Sequence, residues 1–226
     1  MTELHVLRVF VGPDGRGGNP LGVFLDGSAI PSASRQGVAA RLGFSETVFV
    51  DDAATGRIHI FTPAAELAFA GHPTVGTAWL LRETGRAVAS LHPPAGEVRV
   101  RHDAERTWVR ADPAWIHRHR RERLASVAEV DGYAAPRMGE PGIYVWAWID
   151  EGAGRVRSRY FATDYGIAED EATGAAAVAM GGDLRRDLTI HQGVGSEILV
   201  RPQPDGMVEI GGRVEMVETR EDPGAR

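Results

Sequence analysis

Three short stretches of the sequence set ionisable side chains where burial or a helix terminus would change their chemistry. In Phe44-Ser45-Glu46-Thr47-Val48-Phe49-Val50 a glutamate enters an apolar, β-prone run. Burial there favours the neutral carboxyl and brings its pKa toward the range in which one group can both take and give a proton. The plainer alternative is a surface glutamate at a strand edge. In Phe69-Ala70-Gly71-His72-Pro73-Thr74-Val75-Gly76 an imidazole stands at the start of an apolar helix, whose free N–H groups and positive dipole end favour an anion. His72 then either donates a hydrogen bond to a bound carboxylate or hydroxyl, or merely caps the helix. In Gly166-Ile167-Ala168-Glu169-Asp170-Glu171-Ala172-Thr173-Gly174-Ala175-Ala176 acidic residues again precede a helix of small residues, so a carboxylate lies beside a second helix start. Asp170 is the candidate, while Glu171 reads as a simple charge of the first helical turn. Two such starts facing each other would form a cleft suited to a carboxylate-bearing substrate.

Other chemistries are excluded or weakly supported. All 25 cationic residues among the 226 are arginines, and there is no cysteine. Schiff-base lysines, lysine-containing phosphate loops, thiolate nucleophiles, thiolate metal sites and disulfides are therefore ruled out. No G-x-S-x-G elbow or H-E-x-x-H pair occurs, so neither a serine hydrolase nor a metal centre is expected; His117-x-His119 and the pair His102-Asp103 are the remaining, poorly spaced metal candidates. A net charge of −6 argues against nucleic acid as a general partner, and the basic run His117 to Arg123 reads as a solvated linker or helix face. The N-terminus has no basic leader, and no apolar run reaches the roughly 18 residues of a membrane span, which together lead to the expectation of a cytoplasmic protein without a membrane partner.

The elements that must hold these groups are mostly strands. Leu4 to Val11 and Leu21 to Leu25 flank a glycine turn, Thr47 to Val50 and Arg57 to Phe61 form a hairpin, and Glu97 to Arg101 pairs with Arg106 to Arg110. Ile143 to Ile149 and Arg155 to Phe161 form another hairpin, with short strands near Leu188 to His191, Glu197 to Val200 and Met207 to Ile210 before a polar tail. Ser34 to Leu42 reads as a helix capped by Ser32 or Ser34 and ended by Gly43; Ala70 to Gly85 as a helix with Pro73 at its first position. Ala172 to Met180 is small or apolar on every side, which requires burial all round, and it is expected to stop at Gly181-Gly182. Each half thus carries strands about one small-residue helix, with residues 1–115 and 116–226 as the two halves and a boundary within about 112–136.

Taken together, the motifs resemble the PhzF family of phenazine-biosynthesis isomerase-like proteins. The matching blocks run in family order: Gly18-Asn19-Pro20 with Val23-Phe24, Ser45-Glu46-Thr47-x-Phe49-Val50, Ala70-Gly71-His72-Pro73-Thr74-x-Gly76, Phe161-Ala162, Glu169-Asp170-x-Ala172-Thr173-Gly174, and His191-Gln192-Gly193. The resemblance implies an α+β, diaminopimelate-epimerase-like fold: two pseudo-symmetric strand-rich barrel halves, each around a central helix. It also implies a cofactor-independent isomerase, commonly a homodimer. Within it Glu46 is the acid/base, His72 and Asp170 assist, and Asn19, Gly71, Thr173, Gly174, Ala175, Gln192 and Gly193 contact the substrate. Racemases and epimerases of the same fold use a pair of thiols, which a chain without cysteine lacks, so the expectation becomes carboxylate-mediated movement of a proton. Two departures stand out: Ala175 replaces the serine that often follows Thr-Gly, and the chain is short between the halves and near 136–142. A dehydratase or cyclase using the same Glu46, and a carboxylate-binding protein without turnover, are the competing readings.

Overall fold

The computed structural model of the chain describes residues 1–116 and 120–222, so the His117-x-His119 candidate and the centre of the basic run lie outside the described residues. The first half contains β1 (Thr2–Val11), β2 (Asn19–Phe24), α1 (Ser32–Leu42), β3 (Glu46–Asp52), β4 (Arg57–Phe61), β5 (Glu66–Leu67), α2 (Gly71–Glu83), β6 (Ser90–Leu91), β7 (Val98–His102) and β8 (Thr107–Ala111). After a short edge strand β9 (Arg121–Arg123) and a helical turn α3 (Val127–Asp131) come β10 (Ile143–Asp150), β11 (Arg155–Ala162) and β12 (Ile167–Asp170). The chain then runs through α4 (Gly174–Leu184), β13 (Leu188–Gln192), β14 (Ser196–Pro202) and β15 (Val208–Asp222). No helix among the described residues is long and apolar enough to cross a membrane.

The strands wrap α2 and α4 in the diaminopimelate-epimerase-like manner. Around α2 they follow the order β4-β3-β2-β1-β15-β8-β7-β6, and the ring closes where Ile58 N–H donates to the His92 carbonyl and His92 N–H to that of Gly56. Around α4 the order is β9-β10-β11-β13-β14-β15. The two rings share β15, whose first residues pair with β14 and β8 while Arg213 to Asp222 pair with β1. The expected polar tail is therefore a strand. Its alternation is invisible because most residues from 216 onward are exposed, and a backbone ladder against β1 needs no apolar side chains. Asp222 anchors its end to Arg41 of α1 at 2.6 Å.

The three main helices follow their sequences with local corrections. α1 does end at Gly43, in the left-handed region at φ 70°, but Pro31 occupies its N-cap and neither Ser32 nor Ser34 caps it. Pro73 is the third residue of α2; in the first turn its missing N–H removes no intrahelical bond. α4 runs through Gly181-Gly182 and ends at Arg185. A Cβ at Gly181 would lie 2.6 Å from Val200 and 2.8 Å from Val208. Gly181 thus lets the helix lie on β14 and β15, and Gly182 faces Pro113, so the pair packs the helix rather than terminating it. From Gly174 to Gly181 α4 is buried except at the half-buried Ala175 and Ala179, as its lack of a polar face there requires, and only its last turn reaches the surface.

The starts of α2 and α4 meet backbone to backbone. A Cβ on Gly71 would stand 2.7 Å from the Gly174 Cα, and one on Gly174 2.8 Å from the Gly71 Cα and 2.9 Å from the His72 nitrogen. Backbone atoms cannot yield to such overlap, so only glycine permits this approach. Gly174→Ala is accordingly expected to lower stability by about 1–3 kcal/mol through overpacking, although alanine is the better helix former. Gly37→Ala in α1, where an added Cβ meets nothing within 4 Å, should instead stabilise by about 0.5–1 kcal/mol. Urea unfolding of both variants checks the contrast.

Candidate active site

The glycine contact brings together residues far apart in sequence. Glu46 opens β3, hydrogen-bonded in parallel to β2; His72 is the second residue of α2; Asp170 ends β12. The Glu46 Oε2 lies 3.3 Å from the His72 Nε2, with the side chains 16% and 4% exposed. Both atoms are buried and neither has a hydrogen-bond partner among the described residues. Buried polar atoms are seldom left this way, and where they are, a functional role is the first explanation to test.

Asp170, by contrast, is fully engaged. Its Oδ1 accepts from the Asn19 Nδ2 at 2.7 Å and its Oδ2 from the Thr173 Oγ1 at 2.5 Å. The Asn19 Nδ2 also donates to the Ala172 carbonyl at 2.9 Å, and the Ser45 hydroxyl donates to the Asn19 Oδ1 at 3.2 Å. Gln192 closes the network: Thr173 N–H donates to its Oε1 at 3.1 Å, while its Nε2 donates to the Thr173 Oγ1 and the Asp170 carbonyl, both at 2.8 Å. Ala175 follows Gly174 in the first turn of α4 and offers no hydroxyl.

Glu171 is not a first-turn charge, because Thr173 is the N-cap and the first turn of α4 contains no acid. Its carboxylate accepts from the Val194 N–H and from the Ser196 hydroxyl, which in turn accepts from the Gly18 N–H. A Cβ at Gly193, where φ is +59°, would strike this carboxylate. Glu171 and Gly193 therefore shape the turn between β13 and β14. Sequence reasoning passed over Tyr144 and Tyr160, buried opposite each other on β10 and β11. The Tyr144 hydroxyl donates to the fully buried Ser158 at 2.8 Å. Two phenols placed opposite each other in paired strands were the available signal.

Burial dominates the electrostatics. It raises Glu46 to about 7, opposed by the Ser45 hydroxyl. It also raises Asp170, to about 6, with the charge of Glu46 acting in the same sense and His72, Thr173 and Asn19 opposing. His72 is lowered to about 4 by burial, against the charge of Asp170 and a hydrogen bond to the Pro20 backbone, so its imidazole is neutral at neutral pH. The two carboxyls titrate as a pair. Such a site offers a carboxyl able to take and return a proton near neutrality, a neutral imidazole beside it, and two helix starts that favour a substrate anion. Among the described residues no cluster of three or more His, Asp or Glu could hold a metal ion.

The architecture and its paired helix starts define the class first, a protein of the diaminopimelate-epimerase-like fold. A hydroxyproline epimerase from Agrobacterium vitis shares that fold at TM-score 0.65 and 11% identity, over 99% of this chain and 94% of that one. A PhzC/PhzF protein from Clostridium difficile superposes at TM-score 0.79 and 20% identity, over 98% and 99% of the two chains. Residues 11–114 match the family described as phenazine biosynthesis-like protein. A trans-2,3-dihydro-3-hydroxyanthranilate isomerase from Pseudomonas aeruginosa is 32% identical over 92% of this chain and 87% of its own length. The chain belongs to the PhzF family and is an isomerase of that type.

The shifted groups make stability depend on pH in a defined direction. Glu46 binds its proton more tightly folded than unfolded, so its contribution is complete below the ordinary glutamate value of 4.5 and is lost as pH rises through about 7. Asp170 acts in the same sense at lower pH. His72 acts oppositely, costing stability as the unfolded imidazole gains its proton around and below pH 6.5, an effect that fades as pH rises toward 8. Between about pH 6.5 and 8 the larger slope from this site is therefore that of Glu46, offset in part by His72. The wild type should lose on the order of 1 kcal/mol across this window, and Glu46→Gln should lack that loss, as read from urea unfolding at the two pH values.

Proposed function

We propose that the protein moves a proton between two carbons of a small unsaturated carboxylic acid, with Glu46 as the acid/base and no cofactor. The observation that carries this reading is the buried Glu46 Oε2, unpartnered and 3.3 Å from an equally unpartnered His72 Nε2. In the reaction the Glu46 carboxylate takes a proton from one carbon, the electron pair left behind delocalises through the unsaturated system, and the neutral carboxyl returns a proton to another carbon. Substrate and product have the same mass. A raised pKa makes Glu46 a stronger base than a solvated carboxylate, while its protonated form remains a usable acid near neutrality.

His72, neutral and adjacent, donates or accepts a hydrogen bond as charge shifts during the transfer. The first-turn N–H groups at Gly71, Gly174 and Ala175, which a helix leaves without intrahelical partners, hold the substrate carboxylate with the help of both helix dipoles. Asp170 acts on Glu46 through its charge. The substrate class is supported by the Pseudomonas aeruginosa relative, whose named substrate, trans-2,3-dihydro-3-hydroxyanthranilate, is an unsaturated ring bearing a carboxylate. Ala175 gives weight to a second reading, a carboxylate-binding protein without turnover.

Incubation with trans-2,3-dihydro-3-hydroxyanthranilate in D₂O should give a product of unchanged skeleton with deuterium at the reprotonated carbon. Glu46→Gln, with its circular dichroism spectrum unchanged, should lose about 10²-fold or more of kcat. Full turnover in that variant would sink the assignment. A product lighter by one water would mark a dehydratase, and binding without exchange in the wild type would mark the second reading.

A further inference from the structure

Asn19 and Gln192 match family positions expected to touch substrate, yet their amide groups are used within the protein, and the direction of each hydrogen bond is fixed by a partner that can act in one way only. The Ala172 carbonyl can only accept, so it faces the Asn19 amide nitrogen, whose second hydrogen goes to the Asp170 Oδ1. The Thr173 backbone N–H can only donate, so it faces the Gln192 Oε1. The Gln192 Nε2 then donates to the Asp170 carbonyl and to the Thr173 hydroxyl. A hydroxyl that accepts there directs its own hydrogen to its remaining partner, the Asp170 Oδ2 at 2.5 Å. Both Asp170 oxygens therefore receive donors. A proton on Oδ2 would make the Thr173 hydroxyl accept from Asp170 as well as from Gln192 and force its own hydrogen to leave Asp170 for another acceptor. A proton on Oδ1 would displace the Asn19 amide.

No such wiring surrounds the Glu46 Oε2, which has no hydrogen-bond partner. The titratable groups that act on Asp170 are Glu46 from β3 and His72 from α2, and its charge in turn reaches the phenols of Tyr144 on β10 and Tyr160 on β11. None of these is a permanent cation, so hydrogen bonds rather than an ion pair select the ionised form. We propose that Gln192 and Asn19 are positioning residues that hold Asp170 ionised, so that whenever the two carboxyls carry a single proton, from solvent or from substrate, it resides on Glu46. The consequence for catalysis rests on the proton-transfer reading above: a proton taken from substrate stays on Glu46 instead of passing to Asp170.

Carbon-13 NMR titration of the ligand-free protein, with the two carboxyl resonances assigned through Glu46→Gln and Asp170→Asn, tests this without any substrate. In the wild type Glu46 should be the last of the pair to lose its proton; Asp170 retaining it would overturn the proposal, whatever any variant does. Gln192→Met and Thr173→Val remove the wiring, and each should move the Asp170 titration up and that of Glu46 down by about one pH unit or more. The limb of the kcat profile that reports Glu46 should move with them. Folded variants with both titrations unmoved would also overturn it. Full turnover in Glu46→Gln would instead remove the functional reading and leave the titrations, and this assignment, in place.

Discussion

The contact between Gly71 and Gly174 is the constraint on which the site depends. Two helices from different halves can meet end to end only if neither presents a side chain at the point of contact, and a Cβ on either glycine would fall under 3 Å from the opposite backbone. With the helices so joined, His72 and Thr173 fall at the seam by their position in sequence, one residue from each glycine. The strands are then arranged around this joint. β15 serves both rings, and the entry into β2 is strapped to the second half through Gly18 to Ser196 and Asn19 to Asp170 and Ala172. The site therefore lies at a seam between helices and strands, with Asp170 held in place there by the Asn19 and Thr173 side chains.

Charge is partitioned as sharply as shape. The arginines form ion pairs and ring contacts away from the site: Arg101 with Glu209 at 2.8 Å, the buried Arg35 with Asp51 at 2.5 Å, and Arg101 and Arg201 over the ring of Trp108. The groups that shift Glu46, His72 and Asp170 are burial, one another, and neutral hydrogen-bonding partners; no guanidinium is among them. A cation beside Glu46 would lower its pKa and weaken it as a base. Keeping the cations outside is thus a condition of the chemistry.

The three acid/base candidates were legible because each sits in a local motif whose meaning does not depend on tertiary partners: a glutamate entering a β-run, and polar residues at the starts of helices made of small residues. The strands and the burial of α4 were legible for the same reason, being written as alternation and as the absence of a polar face. What the sequence did not disclose depends on partners remote in the chain. Gly181-Gly182 has the composition of a helix stop, and only Val200, Val208 and Pro113 show why the helix continues. Residues 213–222 pattern as a polar tail because β1 supplies their structure. Glu171 looks like a first-turn charge until Val194 and Ser196 are seen to donate to it, and the direction of the Gln192 amide cannot be read without the Thr173 N–H that sets it.

Ala175 takes on a different meaning in this setting. A serine after Thr-Gly would place a hydroxyl in the first turn of α4, close to the carboxyl that β12 delivers, and so provide a route by which a proton could pass from that carboxyl toward substrate. Here the route is absent at both ends: position 175 has no hydroxyl, and both oxygens of Asp170 already accept from Thr173 and Asn19. Asp170 can then influence the reaction through its charge but has no path along α4 for delivering a proton. In the proposed reaction the absence of this hydroxyl narrows the proton's itinerary to Glu46 and the adjacent neutral His72. It removes a relay from α4 while leaving the proposed acid/base and both helix starts in place.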